Sequence, residues 1–249
     1  MELIIPDWDA PANVGAFATT RRGGFSVPPY DDGQGGGGLN LGAHVGDRPE
    51  DVRRNRDLLG RLLPAEPAWL SQVHGKDVVD AAGVAGTPPA DASIAAARGV
   101  VCVVQTADCL PVLFCAANGK VVGAAHAGWR GLAGGVLENT VAAMRAAGAD
   151  EILAWLGPAI GLENFEVGED VLSTFVSQDA ASATAFKLLP GKPGKYLADI
   201  YRLARQRLIH VGVVRCHGGG SCTVADRSRF YSYRRDRETG RMASLIWIK

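Results

Sequence analysis

The 249-residue sequence has few cysteines, no excess of either charge and no long hydrophobic run. Basic and acidic side chains each number 26, so the formal net charge is zero and neither a nucleic-acid nor a membrane-surface partner is indicated. No apolar run approaches the roughly 20 residues that cross a bilayer. The start, MELIIPDWDAP, lacks the basic and apolar regions of an export signal, which makes a cytoplasmic location the default expectation.

Cysteine usage argues against both a disulfide framework and a zinc ribbon. The chain has five cysteines, an odd number, and none of them forms a CxxC pair. Cys102 and Cys115 lie inside apolar runs and are expected to be inert core residues. Cys109, in the segment QTADCLP, is the thiol best placed for chemistry.

Apolar periodicity and glycine or proline breaks predict strands alternating with helices along the whole chain. Without a repeat or a linker, this alternation favours one α/β domain spanning residues 1–249. Asp47 and Glu50 are spaced as a capping box for the first helix. The predicted strands cover 2–5, 14–20, 68–75, two segments of 100–116, 121–128, 151–156, 211–215 and 244–248; the predicted helices cover 46–63, 130–147, 168–177 and 199–209, and a loop covers 21–38.

Three potential metal ligands are each predicted to end or follow an apolar strand. His74 and His126 are each the last polar residue before a glycine break, and Cys109 follows the strand that begins at residue 100. Two imidazoles and a thiolate form the three-ligand set of a catalytic zinc site, and copper accepts the same donors. Bound zinc lowers the pKa of a coordinated water towards ~7. In the alternative interpretation without metal, Cys109 is a nucleophile activated by a histidine, with Asp108 orienting the imidazole.

Further candidates surround these motifs. Arg130 begins the helix after His126, where free amides and its guanidinium favour an anion such as phosphate; a surface salt bridge is the alternative. Gln72 is predicted to face the same side of its strand as His74. Asn40 and the nearby histidine of NLGAHVGD either line the pocket or fix a turn, and both alternatives stay open.

Four ordered motifs, SQVHGKDV, QTADCLPVLF, AAHAGWRGLAGGV and GPAIGLENFEVG, resemble those of the YfiH/PgeF-like family, also called the laccase-domain or polyphenol-oxidase-like family. The resemblance extends from FATTRRGGFS to the final FYSYRRDRETGRMASLIWI. It implies a layered α/β/β/α fold with mixed sheets, related to cysteine hydrolases. It also implies that His74, Cys109 and His126 bind a catalytic metal, usually zinc. The loop DDGQGGGG is longer than the corresponding segment of the family pattern, so the resemblance does not predict the local shape of the pocket rim.

The resemblance implies several activities. They are phosphorolysis of adenosine, inosine and methylthioadenosine, adenosine deamination, removal of a wrongly added serine from a UDP-muramoyl precursor, and polyphenol oxidation. A multicopper oxidase needs many imidazoles, whereas this chain has five histidines and no His-x-His pair. A site that binds a single copper ion and has slow oxidase activity is kept as an alternative.

Among the activities that the resemblance implies, the site chemistry favours a zinc-dependent purine nucleoside phosphorylase with adenosine deaminase activity, acting on a nucleoside and phosphate. A monomer or homodimer is expected. Deamination needs a proton carrier, for which Asp108 is the candidate. The alternatives are a metal-independent cysteine amidase that edits cell-wall precursors, a copper-dependent oxidase and a non-catalytic binding module.

Overall fold

Strands and helices alternate through the computed structural model, which describes residues 1–249. None of the helices combines the length and apolar character needed to cross a membrane. The helices are α1 Pro49–Gly60, α2 Trp129–Gly134, α3 Val136–Ala146, α4 Glu169–Val176, α5 Ile200–His210 and α6 Tyr233–Asp236. The strands are β1 Leu3–Ile4, β2 Val14–Thr19, β3 Arg22–Ser26, β4 Val78–Asp80, β5 Ala92–Ala95, β6 Val101–Thr106, β7 Leu110–Ala116, β8 Val122–Ala127, β9 Ile152–Leu156, β10 Glu166–Gly168, β11 Phe186–Leu188, β12 Lys195–Ala198, β13 Arg215–Gly218 and β14 Met242–Ile248.

Two large sheets form the centre of the molecule. One is antiparallel and four-stranded, in the order β1-β2-β14-β6. The other is mixed and six-stranded, in the order β13-β9-β7-β8-β5-β4, with parallel pairing of β13 to β9 and of β4 to β5. A small antiparallel sheet of β10, β12 and β11 lies apart from both.

The two large sheets pack face to face between layers of helices. Along β6, Val101 and Val103 join a cluster with residues of α1, whereas Cys102 and Val104 join the cluster between the sheets. Along β7, alternate side chains likewise face the other sheet or the layer formed by α3, α4 and α5. Alternation places successive side chains on opposite faces of a strand, so each central strand contributes to two layers. The layer order is therefore α/β/β/α, as predicted.

The inert role predicted for two cysteines fits this packing. Cys102 and Cys115 are both fully buried between the sheets. Burial raises the pKa of each thiol to about 12, so both stay protonated at neutral pH.

Several predicted elements are wrong because tertiary contacts override local pattern. Residues 68–75 form no strand: only isolated bridges at Ala68 and Ser71 remain, and His74 has a positive φ of 60°. The predicted loop 21–38 contains β3, which bridges Gly38 through its end residues. The strand predicted at 211–215 begins only at Arg215, where pairing with β9 becomes available.

Two predicted helix features also differ. The helix predicted at 130–147 is interrupted at Gly135, whose φ of 97° a side-chain-bearing residue adopts only with strain. Helix α1 has Arg48 as its N-cap and forms no side-chain cap. The carboxylate of Asp47 instead accepts hydrogen bonds from Ser26 Oγ and Asn40 Nδ2, which ties the loop before α1 to β3.

Candidate metal centre

The two histidines and the cysteine come together at one end of the central strands β7 and β8 of the six-stranded sheet. His126 is near the end of β8, Cys109 lies in the turn between β6 and β7, and His74 lies in a loop. One donor atom from each of the three lies within 4.8 Å of the other two. Cys109 Sγ is 3.8 Å from His74 Nε2, and the imidazole rings of His74 and His126 are 4.8 Å apart at nearly right angles. The structure thus brings together the donors predicted to bind metal.

A buried carboxylate, Asp91, holds two of the three ligands in place. Its Oδ1 lies 2.7 Å from His126 Nδ1 and accepts a hydrogen bond from the amide of His74. Its Oδ2 accepts hydrogen bonds from the amides of Val73 and Gly75. The Asp91 carbonyl also accepts the amide of His126. One side chain therefore fixes both the His74 loop and the His126 ring.

The donor chemistry fits a zinc or copper ion. Because His126 Nδ1 is engaged by Asp91, its Nε2 is the nitrogen left for a metal. A carboxylate bonded to the distal nitrogen of a ligating histidine is the usual outer partner in zinc sites. His74 is exposed and Cys109 half-buried, so a fourth coordination position would open towards solvent and substrate.

The electrostatics of the three groups favour a thiolate. Burial alone would raise the pKa of Cys109, but the neighbouring His126 and His74 outweigh burial and lower it to about 6. Burial would lower the pKa of His126, but Cys109 and Asp91 outweigh it and raise that pKa. Burial likewise opposes ionisation of Asp91, yet hydrogen bonds from His126 and the loop amides hold its pKa below the usual value. The ionised thiol is the form that binds metal.

The glycine after the His126 strand has a steric reason. A Cβ atom on Gly128 would lie 2.9 Å from His74 Cδ2 and 3.0 Å from Cys109 Sγ. The backbone at this position can therefore pass the ligand cluster only without a side chain.

Asp108 does not orient an imidazole, contrary to the prediction. It has a positive φ of 94°, and its two oxygens accept hydrogen bonds from Thr223 Oγ1 and from the amide of Arg234. Its carboxylate thus anchors the turn that carries Cys109. The orienting role belongs to Asp91, which the sequence analysis missed. Its one local signal is a carboxylate set among alanines and prolines in TPPADAS.

Two cavities meet at the ligand cluster. The first, the apolar cavity, has a volume of about 460 Å³. Buried Ile160, Phe165 and Ile200 and the half-buried Trp129 form much of its wall. The charged residues of its lining are Asp108, Arg130, Arg234 and Arg237.

The second, the polar cavity, has a volume of about 410 Å³. Both cavities include His74, Ala107, Cys109 and Tyr233 in their walls, so they adjoin at the metal ligands. The residues that line the polar cavity alone are His44, Gln72, Gln105, Thr106, His126 and Arg241.

The three residues predicted to bind substrate differ in burial and in the cavity that they line. Arg130 is exposed on the wall of the apolar cavity, with its guanidinium carbon 4.5 Å from the centre of the Trp129 ring. Gln72 lines the polar cavity, but its amide is hydrogen-bonded to the backbone of Gln105. Asn40 is fully buried and lines neither cavity: its amide bonds Gly42 and Asp47 and accepts the amide of Arg241. Asn40 was predicted either to line the pocket or to fix a turn, and these hydrogen bonds fit the turn.

Removing the metal is expected to expose a reactive thiolate at Cys109. With metal bound, the sulfur is coordinated and alkylates slowly; after chelation, its lowered pKa keeps it ionised at pH 7.5. Alkylation with iodoacetamide followed by mass spectrometry checks this. Cys102 and Cys115 serve as internal controls, because both are buried. Equal labelling of Cys109 with and without chelator would contradict metal binding at this sulfur.

Fold and site together define an α/β/β/α protein with a single three-donor, two-histidine and one-cysteine centre that opens into paired cavities. The family model described as multi-copper polyphenol oxidoreductase laccase matches residues 15–249, and the chain belongs to this family. It is 53% identical over 250 residues to the purine nucleoside phosphorylase YfiH of Escherichia coli, covering 99% of each chain. It is also 53% identical to the purine nucleoside phosphorylase PA4543 of Pseudomonas aeruginosa, covering 99% of this chain and 98% of that one.

Solved structures support the same assignment. The crystal structure of protein NMB0706 from Neisseria meningitidis superposes with a TM-score of 0.92 at 51% identity, covering all of both chains. At this identity the likeness extends beyond the fold to the family.

Proposed function

We propose that this protein is a zinc-dependent purine nucleoside phosphorylase acting on adenosine, inosine and methylthioadenosine. The observation that carries the proposal is the position of the His74, Cys109 and His126 cluster where an apolar and a polar cavity meet. Relatives that are about half identical over the whole chain bear the name purine nucleoside phosphorylase, which supports the reaction class.

The apolar cavity suits a purine base. Phe165 and Trp129 offer aromatic surface, and Ile160 and Ile200 offer apolar surface, in a volume large enough for a nucleoside. Arg130, stacked on Trp129 and without an ion-pair partner, is proposed to contact the substrate as it enters. Gln72 acts by holding the backbone of Gln105 at the wall of the polar cavity.

At the junction of the cavities, the protein's own groups position the reacting centre. Asp91 fixes the His126 ring and the His74 loop, so the donor atoms are arranged before substrate binds. A zinc ion held by His74, Cys109 and His126 would supply a Lewis acid at this junction. Cys109 is expected to be a ligand in this arrangement and not a nucleophile, because a coordinated thiolate is masked.

Adenosine deamination at the same site is a second proposed activity. It would require an acid to protonate the leaving ammonia, and Asp108 is poorly suited because Thr223 and Arg234 occupy both of its oxygens. We therefore assign the proton to no side chain. The cytoplasmic location, the single domain and the monomeric or dimeric state stay predictions from the sequence.

One observation favours an acidic substrate as a second candidate. Arg130, Arg234 and Arg237 line the apolar cavity and none of them forms an ion pair with a carboxylate. A UDP-muramoyl precursor carries phosphates and carboxylates that could pair with them. The family model is described as a multi-copper laccase, but one three-donor group and five histidines do not supply the ligands for several copper ions.

Turnover of inosine and adenosine by zinc-loaded protein tests the proposal. We expect free base and ribose 1-phosphate to form only when phosphate is present, and chelated protein to be inactive. Ammonia release from adenosine without phosphate would identify deamination. If neither nucleoside reacts while UDP-muramoyl-serine is cleaved, the phosphorylase proposal is wrong and the editing amidase takes its place.

A further inference from the structure

We infer that the polar cavity is the phosphate subsite, with Arg241 and Thr106 as its principal donors and His44 at its outer edge. The inference rests on the proposed function and adds to it the place from which phosphate attacks. It is carried by the absence of a carboxylate from the wall of this cavity, by polar groups of the wall without partners inside the chain, and by the position of the cavity relative to the three donors.

The wall of the polar cavity favours an anion. No carboxylate lines it, and Arg241 supplies its permanent positive charge. The Arg241 guanidinium is half-buried and uses Nη1 to donate to the carbonyls of Thr239 and Gly240. Arg241 forms no ion pair, so its remaining N–H groups are available to a ligand. Burial lowers the pKa of Arg241, but a guanidinium stays charged at neutral pH.

Other groups of the wall divide into occupied and available donors. Gln72 and Gln105 use their amide nitrogens on backbone carbonyls of Gln105 and Leu41. Thr106, at the end of β6, is 3% exposed and makes no side-chain hydrogen bond within the chain. A nearly buried hydroxyl without a protein partner, in the same cavity wall as a guanidinium with free N–H groups, is suited to a phosphate oxygen.

The reaction geometry separates the base from phosphate. A phosphate oxygen forms a bond to C1′ as the C1′–N9 bond breaks; the bonding pair leaves with the purine, which takes up the proton of hydrogen phosphate. Attack and departure occur on opposite faces of the ribose, so the two groups need sites on either side of it. The apolar and polar cavities adjoin at His74, Cys109 and Tyr233, which places the ribose over this junction. The product is then α-ribose 1-phosphate, with inverted configuration at C1′.

Arg130 is a weaker phosphate ligand, although its sequence position suggested this role. It belongs to the wall of the apolar cavity and is stacked on Trp129, on the side assigned to the base. Its helix, α2, has only six residues. Phosphate bound there would lie on the same side of the ribose as the leaving group.

Steady-state kinetics of zinc-loaded variants test the assignment, with phosphate and inosine varied separately. Thr106→Val removes only the hydroxyl, and Arg241→Lys keeps the charge but loses the fork of donors. We expect each to raise the KM for phosphate about tenfold or more, since a hydrogen bond to a charged group is lost, with little change in the KM for inosine. Arg130→Gln is the matched comparison and is expected to raise the KM for inosine only.

Unchanged phosphate KM in both polar-cavity variants, at wild-type zinc content and Tm, overturns the inference, as does a phosphate KM raised by Arg130→Gln alone. Thr106→Val decides the matter if Arg241→Lys does not fold. If wild-type protein does not phosphorolyse nucleosides, the proposed function fails separately. Calorimetric titration of the zinc-loaded protein with inorganic phosphate then tests the subsite: weaker binding to Thr106→Val supports it, and equal binding rejects it.

Discussion

Cys109→Ala is expected to abolish metal binding and nucleoside turnover together. The substitution removes the only sulfur among the three donors, and two imidazoles alone hold zinc poorly. The loss of affinity should exceed the ~10–100-fold that follows loss of an outer-shell partner. Metal analysis of purified protein should fall from near one zinc per chain to near zero, and phosphorolysis should fall with it.

Cys102→Ala is the matched control for this experiment. Cys102 is fully buried between the sheets, so its truncation costs roughly 1 kcal/mol of stability through lost packing and should spare both metal and turnover. If Cys109 is instead a nucleophile that needs no metal, two results differ. Wild-type protein freed of metal would keep full activity, and Cys109→Ala would lose activity with its zinc content unchanged.

Asp91→Asn is expected to weaken metal binding about 10–100-fold without changing any ligand. The carboxylate accepts hydrogen bonds from three consecutive amides, those of Val73, His74 and Gly75, and engages His126 Nδ1. An amide of the same shape offers one acceptor oxygen and an NH₂ group that would face donors. Two ligands therefore lose their orientation, and stability should fall by about 1–3 kcal/mol. Competition with a zinc chelator and thermal unfolding of the metal-free protein measure the two effects.

Asp80→Asn gives the comparison for this prediction. Asp80 lies at the end of β4, beside the strand that follows Asp91, and is exposed, with its carboxylate accepting only the amide of Ala82. Asparagine can replace it in that role, so zinc affinity and Tm should stay at wild-type values. Equal zinc affinity in Asp91→Asn and wild type would show that the ligand geometry does not depend on this carboxylate.

The convergence of the three donors was predictable, although the reason given for one of them was wrong. His126 does lie at the end of a buried strand, and Cys109 does lie in the break between two strands. His74 was predicted to end a strand, but it sits in a loop with a positive φ. No local pattern could show this, because the loop is held by Asp91, a residue distant in sequence that accepts its amide protons.

The same limit explains the exchange of roles between two aspartates. Asp108 is adjacent to Cys109 in the sequence and was therefore the natural candidate to orient a histidine. In the fold, its carboxylate accepts hydrogen bonds from Thr223 and Arg234. The carboxylate that contacts the His126 imidazole belongs to Asp91, the residue immediately before β5. Adjacency along the chain fixes only where a backbone lies, whereas the partner of a carboxylate depends on which strands pair.

The sequence by itself determined the strand and helix alternation of the central elements, the inert cysteines and the three donor types, because these depend on local periodicity and on the chemistry of single side chains. Only the tertiary structure decided that Asp91 organises the centre and that Asn40 fixes a turn. It also decided that two adjoining cavities meet at the three donors. These features arise from pairing and packing between residues far apart in the chain, whose contacts leave no periodic signal in the sequence.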